Sequence, residues 1–176
     1  MSAPVPQTVR VALGRISGVS ARFDEPLARH TTYRAGGPAD AFLEIDGTAA
    51  LTAALGVLKG TGTEWLILGN GSNVLFADAG YRGAVLRLST GFDTIRLDRD
   101  THGPRGHRLE VGAGLSVTRL LRFAKEELLE GLTFLGGVPG TVGGAVRMNA
   151  GTSAGSVKDS LEAAQIASAA RARWVP

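Results

Sequence analysis

The residues best suited to chemistry lie in Leu68-Gly69-Asn70-Gly71-Ser72-Asn73-Val74-Leu75. An apolar run, Trp65 to Leu68, enters this stretch, and Val74 and Leu75 leave it. Glycine tolerates positive φ and lets a ligand come close to the backbone. Successive N–H groups in such a loop can converge into an anion-binding nest. One reading is a strand followed by a loop that cradles a phosphate or pyrophosphate. The other is a tight Asn70-Gly71 turn joining two strands, since Asn-Gly is a strong hairpin signal. Short glycine motifs match many unrelated chains, so the octapeptide alone leaves both readings open.

A second glycine-rich stretch runs from Gly136 through Gly137-Val138-Pro139-Gly140-Thr141-Val142-Gly143-Gly144-Ala145-Val146-Arg147-Met148-Asn149-Ala150 to Gly151. Two such loops are hard to explain as turns alone, whereas one large anionic ligand gripped from two sides explains both. Thr141 to Asn149 can form a helix directly after Pro139-Gly140. Its N-terminus would expose unpaired N–H groups and a positive dipole end, both suited to phosphate. The alternative is that Gly143 and Gly144 only allow close helix packing. Other chemistry-bearing side chains read as surface: His102 and His107 in a polar loop, and Glu126, Glu127 and Glu130 on a solvated face.

The elements that must position these loops follow from periodicity. Residues 1–24 read as a leader, partly disordered or docked as a short helix. Gly36-Gly37-Pro38 forces a loop. Ala41 to Ile45 reads as a strand. Thr48 to Lys59 carries Leu51, Ala54, Leu55 and Leu58 at helical spacing, with Thr48 as N-cap and Gly60 as its end. Trp65 to Leu68 then reads as a short buried strand, completing a strand–helix–strand unit of a parallel sheet. Val74 to Ala77 and Ala84 to Leu88 read as further strands, and Thr94 to Asp98 with Leu109 to Val111 as a hairpin. Val117 to Glu130 reads as an amphipathic helix capped by Ser116, with Leu120, Leu121, Ala124 and Leu128 inward and Gly131 as its stop. Glu162 to Ser168 reads as a strand. Arg173-Trp174-Val175-Pro176 begins an apolar segment with no partner strand after it, an exposed edge.

Bulk composition bounds the function classes. The chain has 176 residues, 44% hydrophobic and 20% charged, the profile of a globular protein. No run reaches the length of a membrane span, and Met1 to Val19 lacks the apolar core of a secretory signal. There is no cysteine, which excludes disulfides, thiolate-bound zinc and a cysteinyl flavin link. The net charge of +3 comes from scattered arginines, without the clustering of a nucleic-acid surface. A Rossmann dinucleotide site is disfavoured because Gly69-Asn70-Gly71 lacks the third glycine. No Gly-Lys-Ser/Thr occurs, which excludes a P-loop.

Three segments in this order carry a resemblance: His30-Thr31-Thr32-Tyr33-Arg34-Ala35-Gly36-Gly37-Pro38-Ala39, Leu68 to Asn73, and Gly137 to Gly151. Together they resemble the UDP-N-acetylenolpyruvoylglucosamine reductases, the MurB enzymes of peptidoglycan synthesis, from about Leu27 onward. The resemblance implies an α+β, two-subdomain FAD-binding domain of the vanillyl-alcohol-oxidase-like (PCMH-type) fold. It spans 25–176, with subdomains at about 25–90 and 91–176. It also implies non-covalent FAD. Gly69, Asn70, Gly71, Ser72 and Asn73 would hold the pyrophosphate. Gly137, Val138, Pro139, Gly140, Thr141, Gly143 and Gly144 would line the other side toward the isoalloxazine. Asn149, Ala150 and Gly151 would continue that wall, and Arg34, Gly36 and Gly37 would flank the site. The implied reaction is hydride transfer from NADPH to FAD and on to the enolpyruvyl double bond of a UDP-sugar, in the cytoplasm, with no membrane or nucleic-acid partner.

The sequence departs from the family in stopping before the substrate domain, so no catalytic acid is expected among these residues. A UDP-sugar would bind only if that domain were supplied, for example by a complementing chain. Lys158 and Asp159 match a family pair and read as structural. Thr152-Ser153-Ala154 departs locally from the family loop. Two alternatives stay open: a flavin-binding module without catalysis, and an FAD-linked oxidase of the same fold, for which His30 is the candidate for a histidinyl link.

Overall fold

A computed structural model describes residues 4–103 and 106–176, with side chains given outside 100–105. The chain divides into two compact units, Met1–Gly91 with Ala163–Pro176, and Phe92–Glu162. The sequence placed everything after residue 91 in a second subdomain; in the structure the last fourteen residues belong with the first unit.

The first unit is built on a four-stranded mixed sheet. Its elements are α1 (Gln7–Gly14), β1 (Val19–Pro26), a 3-10 turn at Leu27–His30, β2 (Pro38–Ile45), α2 (Thr48–Gly60), β3 (Trp65–Ile67) and β4 (Tyr81–Leu88). The spatial order is β1-β2-β4-β3. β1 is antiparallel to β2, with Val19 opposite Ile45 and Phe23 opposite Ala41. β2 and β3 both run parallel to β4, so Leu86 has Leu43 on one side and Ile67 on the other. This is the parallel arrangement expected from the strand–helix–strand pattern, with β4 inserted between its two strands.

The sheet is buried on both faces at its centre. Phe42 and Val85 join Leu27, Ala39 and Leu68 in one cluster, flanked by Leu66, Val74, Phe76 and Tyr81. Strand alternation turns Ala41, Leu43, Ile45, Ala84 and Leu86 the other way, and all five are fully buried. Leu13 of α1 and Ala54 and Leu58 of α2 are fully buried as well.

Several expectations are corrected here. Of the two readings of the segment before residue 25, the docked short helix is the one present, since α1 buries Val9 and Leu13; β1, a full partner of β2, was not expected. β1 escapes a hydrophobicity reading because it is an edge strand with both faces half-exposed and Arg22, Asp24 and Glu25 within it. Gly47, at φ +91°, and not Thr48 occupies the N-cap of α2, with no side-chain cap bond. β3 is not buried: Trp65 and Ile67 are 43% and 45% exposed, because β3 forms the sheet edge. Val74 to Ala77 is extended without strand pairing.

The second unit holds the hairpin of β5 (Ile95–Gly103) and β6 (Gly106–Val111), then α3 (Val117–Glu126), α4 (Val142–Met148), and a two-residue pairing of β7 (Gly151–Thr152) with β8 (Gly155–Ser156). Its core gathers Leu115, Val117, Leu120, Phe134, Leu135, Ala145 and Val157. The segment expected as a polar loop is mostly strand. His102 lies within β5 and His107 within β6. Ser116 caps α3 as expected, accepting the Arg119 N–H. The helix stops at Glu126, four residues early, since Leu128 takes φ +56° and is 89% exposed. The apolar spacing that suggested Leu128 as an inward residue does not survive that left-handed turn.

The final strands, β9 (Ala164–Ala167) and β10 (Ala172–Val175), pair antiparallel. Trp174 therefore has a partner, Gln165, which the sequence reading did not supply.

Candidate flavin-binding site

In the first unit the loop after β3 is held by close backbone packing. Gly71 adopts φ +67°, and a Cβ placed there would lie 2.0 Å from the His30 carbonyl oxygen. The Thr32 N–H donates to the Gly71 carbonyl at 2.9 Å. Asn70-Gly71 is thus not a hairpin turn. It is a loop between parallel strands, laid against residues 30–32. The N–H groups of Asn70, Gly71 and Asn73 meet no protein acceptor among the described residues. They are free to serve an anion, as a nest requires.

Residues 30–32 are fixed in turn by their side chains. The His30 ring stacks on Phe42 at 4.0 Å between centroids, and its Nε2 lies 2.9 Å from Glu25 Oε1. The Thr31 hydroxyl donates to the Ala35 carbonyl. His30 occupies a packed position, not one open to covalent attachment of a flavin.

Arg34 takes φ +52°, ahead of Gly36 and Gly37. These two glycines serve protein packing. A Cβ on Gly36 would meet Phe76 at 2.8 Å, and one on Gly37 would meet the Asp78 carbonyl at 2.0 Å. The Gly37 N–H donates to Ala77 and its carbonyl accepts from Leu27. Their spacing reflects contact with residues 76–80, which follow the 68–73 loop.

The second unit corrects one expectation directly. The first turn of α4 is not open to phosphate. Val142 donates to Leu115, Gly143 to Ala113, and Gly144 to the Thr141 hydroxyl at 3.2 Å. Gly143 is a packing glycine, since its Cβ would lie 2.9 Å from both Ala113 Cβ and its carbonyl oxygen. The open positions lie before the helix. Gly137, at φ +79°, is exposed, and a Cβ there would meet nothing within 4 Å. Pro139 is also exposed, while Val138 and Gly140 are half-buried and Thr141 is buried.

Past α4, Asn149 takes φ +45° as the helix C-cap, and its Oδ1 accepts the Lys158 N–H at 2.9 Å. Ala150 accepts from Val157, and Gly151 pairs with Ser156. Asp159 closes a capping box with Ser156, whose N–H bond holds the carboxylate below its ordinary pKa. Lys158 and Asp159 are structural here, as expected.

The open N–H groups of Asn70, Gly71 and Asn73 in the first unit suit an anion such as a diphosphate, and in the second unit Gly137 stands exposed. Among the described residues no cluster of His, Asp or Glu has metal-binding geometry, and no helix is long and apolar enough to cross a membrane. The sequence model of a family described as "FAD binding domain" matches residues 39–172. The chain belongs to that family. It is similar to the UDP-N-acetylenolpyruvoylglucosamine reductase of Geobacter sulfurreducens, 45% identical over 79% of this chain and 44% of that protein. It is 40% identical to the same-named protein of Bacillus subtilis, over 81% of this chain and 45% of that protein. The crystal structure of UDP-N-acetylenolpyruvylglucosamine reductase (MurB) from Thermus caldophilus matches with a TM-score of 0.69 at 33% identity. That match covers 89% of this chain and 52% of that one. The likeness is to the FAD-binding part of these reductases, with the mixed α+β architecture expected from sequence. The chain spans about half the length of the curated relatives it matches.

Sequence reasoning missed Asp40. It is 1% exposed on β2, takes the Val5 N–H on Oδ2 at 3.1 Å and Arg82 Nη1 on Oδ1 at 2.6 Å. A lone acid between Ala39 and Ala41 in an apolar strand was the available signal, because such an acid must be paired. It also missed Ala113, whose carbonyl accepts the Gly143 N–H and closes the α4 N-terminus.

Proposed function

We propose that this chain supplies the flavin-binding part of a MurB-type reductase. In this reading Gly69 to Asn73 contact the FAD pyrophosphate. Gly137 to Gly144 and Asn149 to Gly151 line the isoalloxazine side, and Arg34, Gly36 and Gly37 support the first loop from behind. The observation that carries it is that, among the described residues, the N–H groups of Asn70, Gly71 and Asn73 meet no protein acceptor, at the carboxyl end of the parallel strands, where ligands of open α/β sheets bind. Bound FAD would accept hydride from NADPH and deliver it to the enolpyruvyl double bond of the UDP-sugar, giving UDP-N-acetylmuramate in the cytoplasm. The protein's own part is to bind and orient the flavin and keep its diphosphate neutralised. The UDP-sugar site and the proton donor are assigned to sequence outside these 176 residues, on the same chain or a complementing one.

The test is the visible spectrum of the purified chain after adding FAD and removing the excess. A retained flavin band, or saturable quenching of flavin fluorescence on titration, is the expected result. A chain folded by circular dichroism that shows neither overturns the reading.

A further inference from the structure

Beside the loop after β3 lies a cleft of about 350 Å³, lined by Arg29, His30, Thr31, Thr32, Asn70 and Arg87. All six residues belong to the first unit. The cleft is open and almost wholly polar in its lining, suited to an exposed anionic group and not to an enclosed apolar ligand. The lining contains two guanidinium groups, two threonines and an amide, but no carboxylate.

Charge around the cleft is unbalanced. Arg87 stands near the carboxyl end of β4, and its register neighbour on β2 is Glu44. That carboxylate is engaged by Arg22, Nη1 to Oε2 at 3.3 Å. The other nearby acid, Glu25, has one oxygen facing His30 at 2.9 Å, Arg22 at 3.7 Å and Arg29 at 3.9 Å. Arg22 Nε is buried with no hydrogen-bond partner, a sign that acceptors are short here. No ion pair engages Arg87 among the described residues. Three guanidinium groups therefore share two carboxylates, and the surplus positive charge falls at Arg87. An unpaired, half-buried cation is costly, and an anion in the cleft supplies its missing partner.

Asn70 joins this cleft to the flavin loop: it lines the one and belongs to the other. We propose that Arg87, with the solvent-exposed Arg29, is the cationic half of a diphosphate subsite whose other half is the Gly69–Asn73 backbone. The unit then binds a flavin chiefly through its diphosphate and discriminates FAD from riboflavin. This rests on the flavin reading above. Guanidinium–phosphate contacts are charge-assisted and stronger than neutral ones, so the discrimination is large and salt-sensitive.

The experiment titrates the full chain and its Arg87→Gln and Arg87→Lys variants with FAD, riboflavin and inorganic pyrophosphate, with circular dichroism as the folding control. Arg87→Gln is expected to weaken FAD and pyrophosphate about tenfold while leaving riboflavin unchanged, with Arg87→Lys between. Raising salt should narrow the gap between wild type and Arg87→Gln. Wild-type FAD affinity in a folded Arg87→Gln chain overturns the proposal, as does an equal loss of FAD and riboflavin. If the wild type binds pyrophosphate through Arg87 but no FAD, the anion subsite stands and the flavin reading fails. If it binds neither, both fail.

Discussion

The His30 carbonyl oxygen occupies the space that a side chain at Gly71 would need: a Cβ there would come within 2.0 Å of it and within 2.8 Å of Thr31 Cα. The 68–73 loop is therefore shaped by the protein's own backbone, without any ligand. Gly71→Ala should cost more than about 2 kcal/mol of stability, from the clash and from φ +67° together, and should abolish FAD binding. Urea denaturation with a parallel FAD titration checks both. By contrast, Gly137→Ala, with a similar φ but open space around it, should cost only about 1 kcal/mol.

Asp40 anchors the segment ahead of α1 to the sheet. Asp40→Ala leaves the Val5 N–H without its acceptor and frees Arg82. The loss should be about 2 kcal/mol, held down because Arg82 is 41% exposed and can return to water. Chemical denaturation reads the loss, and faster amide exchange at Val5 locates it.

Leu128→Gly should stabilise the chain. Leu128 is 89% exposed and sits at φ +56°, where a branched side chain is strained and contributes no burial. Relief of that strain exceeds the added freedom of the unfolded chain, for a net gain of about 0.5 kcal/mol. A rise in the urea midpoint with an unchanged slope is the expected signature.

Acid should loosen the α1–β1 contact. The hydrogen bond from Arg10 holds the Asp24 carboxyl below its ordinary value of 3.8. A lowered folded-state pKa means that the stabilisation is fully present above the unfolded value and is lost as pH falls through the folded one. Asp24→Asn should therefore flatten the pH dependence of stability below about pH 4 while changing little in its slope near neutrality. Denaturation curves across that range distinguish the two chains.

What could be read from the sequence was whatever rests on local rules. The Ser116 cap, α2, the parallel strands and the position of α4 follow from capping chemistry and apolar spacing. The misreadings have tertiary causes. β3 reads as a core strand by composition, yet pairs on one side only. The open helix N-terminus expected at Thr141 was closed by carbonyls of Ala113 and Leu115, residues about thirty positions earlier that no local pattern connects to it. The glycines were found correctly as special positions, but much of their role proved to be admission of neighbouring backbone: His30 for Gly71, Asp78 for Gly37, Ala113 for Gly143. Arg87 was invisible because an arginine on a strand looks the same in sequence whether or not its cross-strand acid is already engaged.

The strand order β1-β2-β4-β3 also sets a sequence of events during synthesis. β3 hydrogen-bonds to β4 alone, and β4 is made last of the four. As the chain leaves the ribosome, the 68–73 loop and the apolar Trp65 and Ile67 emerge with no template to dock on until residues 81–88 follow. The nascent protein thus passes through an interval in which the 68–73 turn is complete in covalent terms but shapeless, and β3 has no strand to pair with. Chaperone dependence and aggregation during expression should be sensitive to that short stretch of translation more than to any other.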